Sequence, residues 1–376
     1  MKRIKTTVAL AALLIANATT KAQDNLHKMF IGTYTNTGSY GVYVYNFDSN
    51  TGNATLLDSA KVDNPSYVAI NKKGNRIYAV DENAGVNNPG SISALAFDNT
   101  TNKFQFLNRE KTGGDHPCFV AVDKSGRTVV AANYTGGSLS VFHTNKNGSL
   151  MPPSQIIQHY GKGPNKDRQE KPHVHQAMFS PDEKYVFVND LGTDDITLYP
   201  TKTKKKLKIL DTVNKIVVKA SAGSGPRHTA FHPSLPIFYT VKELTGEVAV
   251  YNFEDKKATL VQTISIDSID KGADKGSADI HISPDGKFLY VSNRGKSNNI
   301  AICGIDGAGQ LSLVGFQSVL GIQPRNFVID PTGNYLLAAN QGSNNIVIFK
   351  RDALTGLLTA TGNEFKKMAP TCIIFE

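Results

Sequence analysis

The sequence contains no Trp and only three Cys among 376 residues, Cys118, Cys303 and Cys372, with no CxxC pair. That excludes a disulfide framework and a thiolate zinc site. No GxSxG elbow, Walker loop or HExxH motif is present, which removes the common serine-hydrolase, P-loop and zincin readings. Beyond the N-terminus no apolar run is long enough to span a bilayer. Concentrated positive charge is also scarce. Lys and Arg exceed Asp and Glu by 41 to 32, and the one dense run, Lys202 to Lys208, sits between two strand-like segments and reads as a solvated turn. No nucleic-acid partner is expected.

The first residues, MKRIKTTVALAALLIANATTKAQ, place Lys2, Arg3 and Lys5 before a short apolar run, and small residues follow it. This is the layout of a secretory signal peptide, cleaved after Ala18 or, preferably, after Ala22. Residues 1–22 are therefore assigned to a signal peptide and 23–376 to one domain of an exported protein, periplasmic or extracellular. Removing Lys2, Arg3, Lys5 and Lys21 takes the formal charge from +9 to +5. No cysteine lies near the cleavage region to carry a lipid.

What the chain has in quantity is turn residues, 32 Gly and 16 Pro, between short Val/Ile/Tyr/Phe runs, the texture of an all-β protein. Six stretches repeat one plan of strand, tight turn and strand: NPSYVAINKKGNRIYAVDE, HPCFVAVDKSGRTVVAANY, HVHQAMFSPDEKYVFVNDL, GPRHTAFHPSLPIFYTVKE, GSADIHISPDGKFLYVSNR and QPRNFVIDPTGNYLLAANQ. Their second residues, at 65, 117, 174, 226, 277 and 324, serve as anchors, and a seventh, Pro370, opens the C-terminal APTCIIFE. A third and a looser fourth strand follow each pair. Four strands about every 50 residues predict an all-β, seven-bladed β-propeller of antiparallel sheets. The chain ends after one strand of the seventh repeat and begins with three strand-like segments, KMFIGTYT, GVYVYNFD and NATLLDSAKV, so the termini complete one blade together.

In a propeller the first strand of each blade lines the channel and the second returns to the same face. Position +1 from the anchor is Ser66, Cys118, His175, Arg227, Ala278, Arg325 and Thr371, and position +17 is Glu82, Tyr134, Leu191, Glu243, Arg294 and Gln341. Six of these, Glu82, His175, Arg227, Glu243, Arg294 and Arg325, are ionisable, come from five blades and fall at one mouth of one channel. Two charged insertions, YGKGPNKDRQEKPH before blade three and DSIDKGADKGSAD before blade five, join blades on that face and can wall it. The second lacks the spacing of a calcium loop, and no metal or other cofactor is expected. His281, in mid-strand, ranks lower: a hydrogen-bonded core histidine is the expectation, with a place facing the channel as a substrate contact the alternative. His116 and His173 precede inner strands and can shape the mouth, whereas His228 and His232 are read as structural.

IGTYT, GPRHTAFHP, the KEL around Glu243, ADIHISPDGKFLYVSNR and QPRNFVIDPTGNYLLAAN together resemble the lactonase-type seven-bladed propellers over about residues 28–376. That family comprises the propeller-type bacterial 6-phosphogluconolactonases and the fungal carboxymuconate lactonizing enzymes. The resemblance implies a catalytic set of His175, Arg227, Glu243 and Arg294, the four that the register also selects, whereas Arg325, Glu82 and, in its alternative placing, His281 are expected as substrate contacts from their strand positions alone. An exported chain departs from the family's cytoplasmic lactonases, which act on a phosphorylated sugar lactone.

Lactone hydrolysis needs an activated water and donors for the oxyanion. His175 is expected as general base and Arg227 and Arg294 as anion clamps. Glu243 is expected to orient His175 or an arginine, or to protonate the leaving alkoxide. The expected substrate is a sugar lactone or another anionic lactone. Two other classes stay open, a carboxymuconate-type cycloisomerase and a non-catalytic exported propeller that binds a protein or glycan. The ring needs no second chain to close, so a monomer is expected.

Overall fold

The structure, a computed structural model, describes residues 25–204, 207–267 and 275–376. The signal-peptide assignment and the middle of the second insertion lie outside the described residues. Among those residues there is no helix, and the strands form seven antiparallel sheets. Strand order follows the chain in every sheet except that of blade 7. Blade 1 runs Val68–Ile70, Arg76–Asp81, Ser91–Asp98 and Lys103–Lys111, and blade 4, for instance, runs Pro226–Phe231, Ile237–Lys242, Glu247–Glu254 and Lys257–Ser265. Blade 3 differs from the expected plan. Its third strand, Asp195–Lys204, is long enough to pair with two short outer segments, Leu207–Leu210 and Ile216–Lys219. In blade 7 the C-terminal strand Pro370–Phe375 is innermost and pairs with Leu26–Thr33, so the two ends of the chain share one sheet.

The hydrophobic core is divided among the blade interfaces. Seven clusters of buried side chains each join one neighbouring pair of blades, and the cluster of Phe30, Val42, Val44 and Cys372 with Val68, Ile77 and Leu95 closes the ring between blades 7 and 1. This explains the sequence pattern. Second strands such as Thr128–Asn133 and Tyr335–Asn340 are buried along their whole length because both faces meet another blade. They therefore read as continuous apolar runs. Outer strands such as Gln155–Gln158 alternate between half-buried and exposed, as a strand with one wet face should. All three cysteines are buried and unpaired, and among the described residues no helix is long and apolar enough to cross a membrane.

One backbone device recurs at the mouth. The residue before the anchor has positive φ in five blades: Asn64 (47°), His116 (48°), Gly225 (64°), Gln323 (57°) and Ala369 (38°). Each precedes a proline, which disfavours the right-handed helical region for its neighbour. The inner strand then carries a β-bulge. The pairing register skips one residue between Pro117 and Phe119, Val174 and Gln176, Pro226 and His228, and Pro324 and Asn326. The skipped residues are Cys118, His175, Arg227 and Arg325, all at position +1. A bulged residue is free of the ladder and its side chain is re-aimed, here at the channel mouth.

Candidate functional site

Position +17 is fixed by the same device. Its backbone N–H donates to the carbonyl of the residue before the anchor in every blade: Glu82 to Asn64 (3.1 Å), Tyr134 to His116 (2.9 Å), Leu191 to His173 (3.0 Å), Glu243 to Gly225 (2.8 Å), Arg294 to Gly276 (3.1 Å) and Gln341 to Gln323 (3.0 Å). In blade 7 the donor is Tyr34, bonded to Ala369 (3.1 Å), because the N-terminal strand supplies that blade's second strand. Positions +1 and +17 of seven blades thus converge on one mouth.

There they enclose a cavity of about 230 Å³ lined by Tyr34, Glu82, Cys118, Tyr134, Arg168, His175, Glu243, Arg294 and Arg325. Glu243 is its electrostatic centre. Arg168 Nη2 donates to Oε1 (2.7 Å), while Oε2 lies 2.9 Å from Arg227 Nε and 3.1 Å from Arg294 Nη2. Burial alone would raise the pKa of this carboxyl, but Arg294, Arg227 and Arg168 outweigh it and hold it at about 2. Arg294 is brought down to about 10, burial being opposed by Glu243, and its Nε donates to Gly276 O (2.9 Å). Arg227 is 2% exposed, and its Nη1 donates to Ala278 O (2.6 Å).

On the opposite wall Glu82 Oε2 accepts from Tyr34 OH (2.8 Å) and from Ser66 Oγ. Arg325 rests over the Tyr34 ring at 5.5 Å and, among the described residues, makes no hydrogen bond or ion pair to protein. Its guanidinium is therefore the uncommitted cation of the cavity. His175 is 5% exposed, with Cys118 Sγ 3.8 Å from Nδ1 and the Tyr134 and His228 rings edge-on at 5.3 and 5.2 Å. Burial, then Arg227, His228 and Arg325, push its pKa well below the ordinary histidine value, so it is neutral at neutral pH. Burial, reinforced by Glu82, pushes the Cys118 thiol up, which leaves it un-ionised.

Six of the seven candidates read from the sequence are brought together: His175, Glu243, Arg294, Arg325 and Glu82 line the cavity, and Arg227 stands behind Glu243. His281 is not. Its Nε2 bonds Asp279 Oδ2 (2.9 Å) and its ring packs on Phe327 at 4.9 Å, farther along the channel, because it is the fifth residue of the inner strand Ser277–Ile282, beyond the bulge. Four lining residues were not among those candidates, and Cys118 and Tyr134, which the register places at +1 and +17, are two of them. Tyr34 is the +17 position of blade 7 and is found once the register is carried across the chain termini. Arg168 lies in the first insertion, which is held over blade 3 by Gln169 Nε2 donating to Leu191 O (2.8 Å). His173 does shape the mouth, stacking on Tyr134 at 4.6 Å between centroids. His116 bonds Thr135, and His232 organises a turn by accepting from Leu235 N (3.0 Å).

Comparison with known proteins agrees with this architecture. Residues 28–375 match the family described as Lactonase, 7-bladed beta-propeller. The chain is 37% identical to a 6-phosphogluconolactonase of Bacillus subtilis, over 92% of this chain and 97% of that one. It is 36% identical to a 6-phosphogluconolactonase of Formosa agariphila, over 88% and 94%. Among solved structures, a periplasmic gluconolactonase of Pseudomonas aeruginosa superposes with a TM-score of 0.87 at 31% identity, covering 93% of this chain and 99% of that one. The chain belongs to the lactonase family of seven-bladed β-propellers.

Proposed function

We propose that this protein is a lactonase that opens a sugar δ-lactone to the aldonate, with 6-phosphogluconolactone or its unphosphorylated counterpart as substrate. The observation that carries this reading is the charge of the mouth. Arg168, Arg227, Arg294 and Arg325 stand against only two carboxylates, Glu82 and Glu243, and Arg325 is uncommitted. The surplus positive charge suits a substrate whose carbonyl oxygen becomes an oxyanion and whose product is a carboxylate. At about 230 Å³ the cavity is small beside the roughly 300–1,000 Å³ usual for ligand pockets, and so suits one sugar ring.

In this reading the lactone carbonyl points to Arg325, the uncommitted cation of the cavity wall. Neutral His175 takes a proton from water as its oxygen adds to C1. The tetrahedral oxyanion is held by the guanidinium groups, the C1–O bond of the ring breaks, and the imidazolium returns the proton to the departing ring oxygen. The depressed pKa of His175 makes its neutral form a weak base but its protonated form a strong acid, which favours the second step. Glu243, held ionised at about 2, has no proton to give at neutral pH. Its role is to fix Arg168, Arg227 and Arg294, and the leaving-group role considered for it is dropped.

The secretory layout of residues 1–22 and the named compartment of the Pseudomonas relative favour action outside the cytoplasm, on the unphosphorylated lactone. The test is loss of gluconolactone and of 6-phosphogluconolactone on adding mature protein, run in parallel and corrected for spontaneous opening. Acceleration of either supports the reading, and the preferred one reports whether phosphate matters. Acceleration of neither overturns it and returns weight to cycloisomerisation or binding.

A further inference from the structure

Beneath the mouth lies a buried polar chain that takes no part in the steps above. His228, 3% exposed, follows Arg227 in the inner strand of blade 4, and Asp279, 2% exposed, lies in the inner strand of blade 5. His228 Nδ1 is 2.8 Å from Asp279 Oδ1, and His228 Nε2 is 3.3 Å from Arg227 Nη1. The other Asp279 oxygen accepts from Asn326 Nδ2 and faces His281 Nε2 at 2.9 Å. Tyr67 and Phe119 pack edge-on against the His228 ring, and His175 closes it from the mouth side.

The unlike partners of the ring leave it one protonation state. Arg227 Nη1 can only donate, so Nε2 must carry its lone pair. The ionised Asp279 carboxylate can only accept, so Nδ1 must carry the proton. The second hydrogen on Nη1 goes to Ala278 O at 2.6 Å, and Nε faces Glu243. Nη1 is thereby fully committed, while Nε, although 2.9 Å from Glu243 Oε2, makes no hydrogen bond to it. We propose that Asp279 and His228 are positioning residues. Asp279 locks His228 as the Nδ1–H tautomer, whose Nε2 accepts from Arg227 Nη1 and fixes the guanidinium behind Glu243, the carboxylate that orders the arginines of the cavity wall. The kinetic part rests on the lactonase reading, whereas the tautomer does not.

The groups facing His228 are Arg227 on its own strand, Asp279 and, through it, His281 on blade 5, His175 on blade 3 and Tyr67 on blade 1. Burial and Arg227 outweigh Asp279 and bring the ring down to about 4, in keeping with a group that stays neutral while the enzyme works.

The test uses full-length mature protein with 15N-labelled histidine. Ring 15N signals of the wild type, with His228 identified as the one lost in His228→Gln, are expected to show a protonated Nδ1 and a bare Nε2 from pH 8 down to about pH 5. A ring protonated on Nε2, or one that takes up a second proton in that range, overturns the proposal, whether or not any lactone is hydrolysed. The kinetic arm compares His228→Gln, whose amide can accept from Arg227 and donate to Asp279, with His228→Leu, which can do neither. Gln is expected within about 3-fold of wild-type kcat/KM and Leu to lose about 10- to 100-fold, the usual range for a hydrogen bond to a charged group. Placed on Arg227→Ala, His228→Leu should cost almost nothing further, because the route through Arg227 is already gone. Equal losses in both backgrounds would show that His228 acts some other way. A wild type that opens no lactone would overturn the functional reading and leave the tautomer result to decide the positioning claim.

Discussion

Arg325 and Glu243 carry opposite charges at one mouth, and their surroundings give them different work. Glu243 meets three arginines within 3.1 Å and is spent on holding them in place. Arg325 lies on an aromatic face with its donors free. Arg325→Ala should therefore lower kcat/KM by about 10- to 100-fold, the value of a charge-assisted hydrogen bond, with little change in melting temperature. Steady-state kinetics beside a thermal melt will show it. Glu243→Gln should damage both, since it leaves buried guanidinium groups without their counter-charge. In the proposed mechanism His175 sets the pH dependence. Its neutral form is the base and its pKa is depressed, so activity should be lost only as pH falls below the ordinary histidine range near 6.5. A kcat/KM profile that is level from pH 8 to 6.5 and declines only below is the expected outcome. An ascending limb centred on 6.5 would place the base elsewhere.

At the scale of the strand, one turn is repeated around the ring: a left-handed residue before a proline, a bulge at +1, and a hydrogen bond back from +17. Residue +16 is the internal pin of the same turn. Asn133 donates to Ser138 and Ser140, Asn293 to Ile266 O and Asn340 to Val319 O, while Asp190 takes up the backbone of His173. Asn340→Ala removes such a pin in blade 6, whose neighbouring Gln341 is not a lining residue. It should cost about 1–3 kcal/mol of stability, read by denaturant unfolding, and leave kcat unchanged. This scale also shows what the sequence could reveal. Spacing alone put His175, Arg227, Glu243 and Arg294 at one face, because strand length and turn type are nearly constant from repeat to repeat. The bulge that frees the +1 side chains was not legible, since it consumes one residue without altering the alternation around it. Arg168 was hidden because a loop has no register. Tyr34 was hidden because its register crosses the join between the chain ends. His281 shares the apparent channel register but sits too far down the strand to reach the mouth.

For the whole molecule, stability depends on closing a circle. Each interface between blades holds one apolar cluster, and the interface of blades 7 and 1 is completed by Cys372 from the last strand, Phe30 from Leu26–Thr33 and Val44 from Gly41–Asp48. Removing residues 370–376 would expose the inner edge of blade 7 and the faces of both neighbours. The truncated chain should lose cooperative unfolding by circular dichroism rather than simply melt a few degrees lower. The buried titratable groups make the ring sensitive to acid. His228 is held at about 4, below its unfolded value, so unfolding takes up a proton there. Stability from this group is fully present above about pH 6.5 and is lost as pH falls toward 4, and Glu243, held at about 2, continues the loss at lower pH. The unfolding midpoint in urea should fall steadily over that interval.

The central claim is that the side chains which the repeat brings to one mouth open a lactone. The most direct measurement is the rate of gluconolactone and 6-phosphogluconolactone loss with wild type and with Arg227→Ala at equal concentrations of folded protein. The account predicts clear acceleration of at least one lactone by wild type, reduced by a factor of about 100 or more in the variant. Equal acceleration by both proteins would place the chemistry away from this mouth and contradict it.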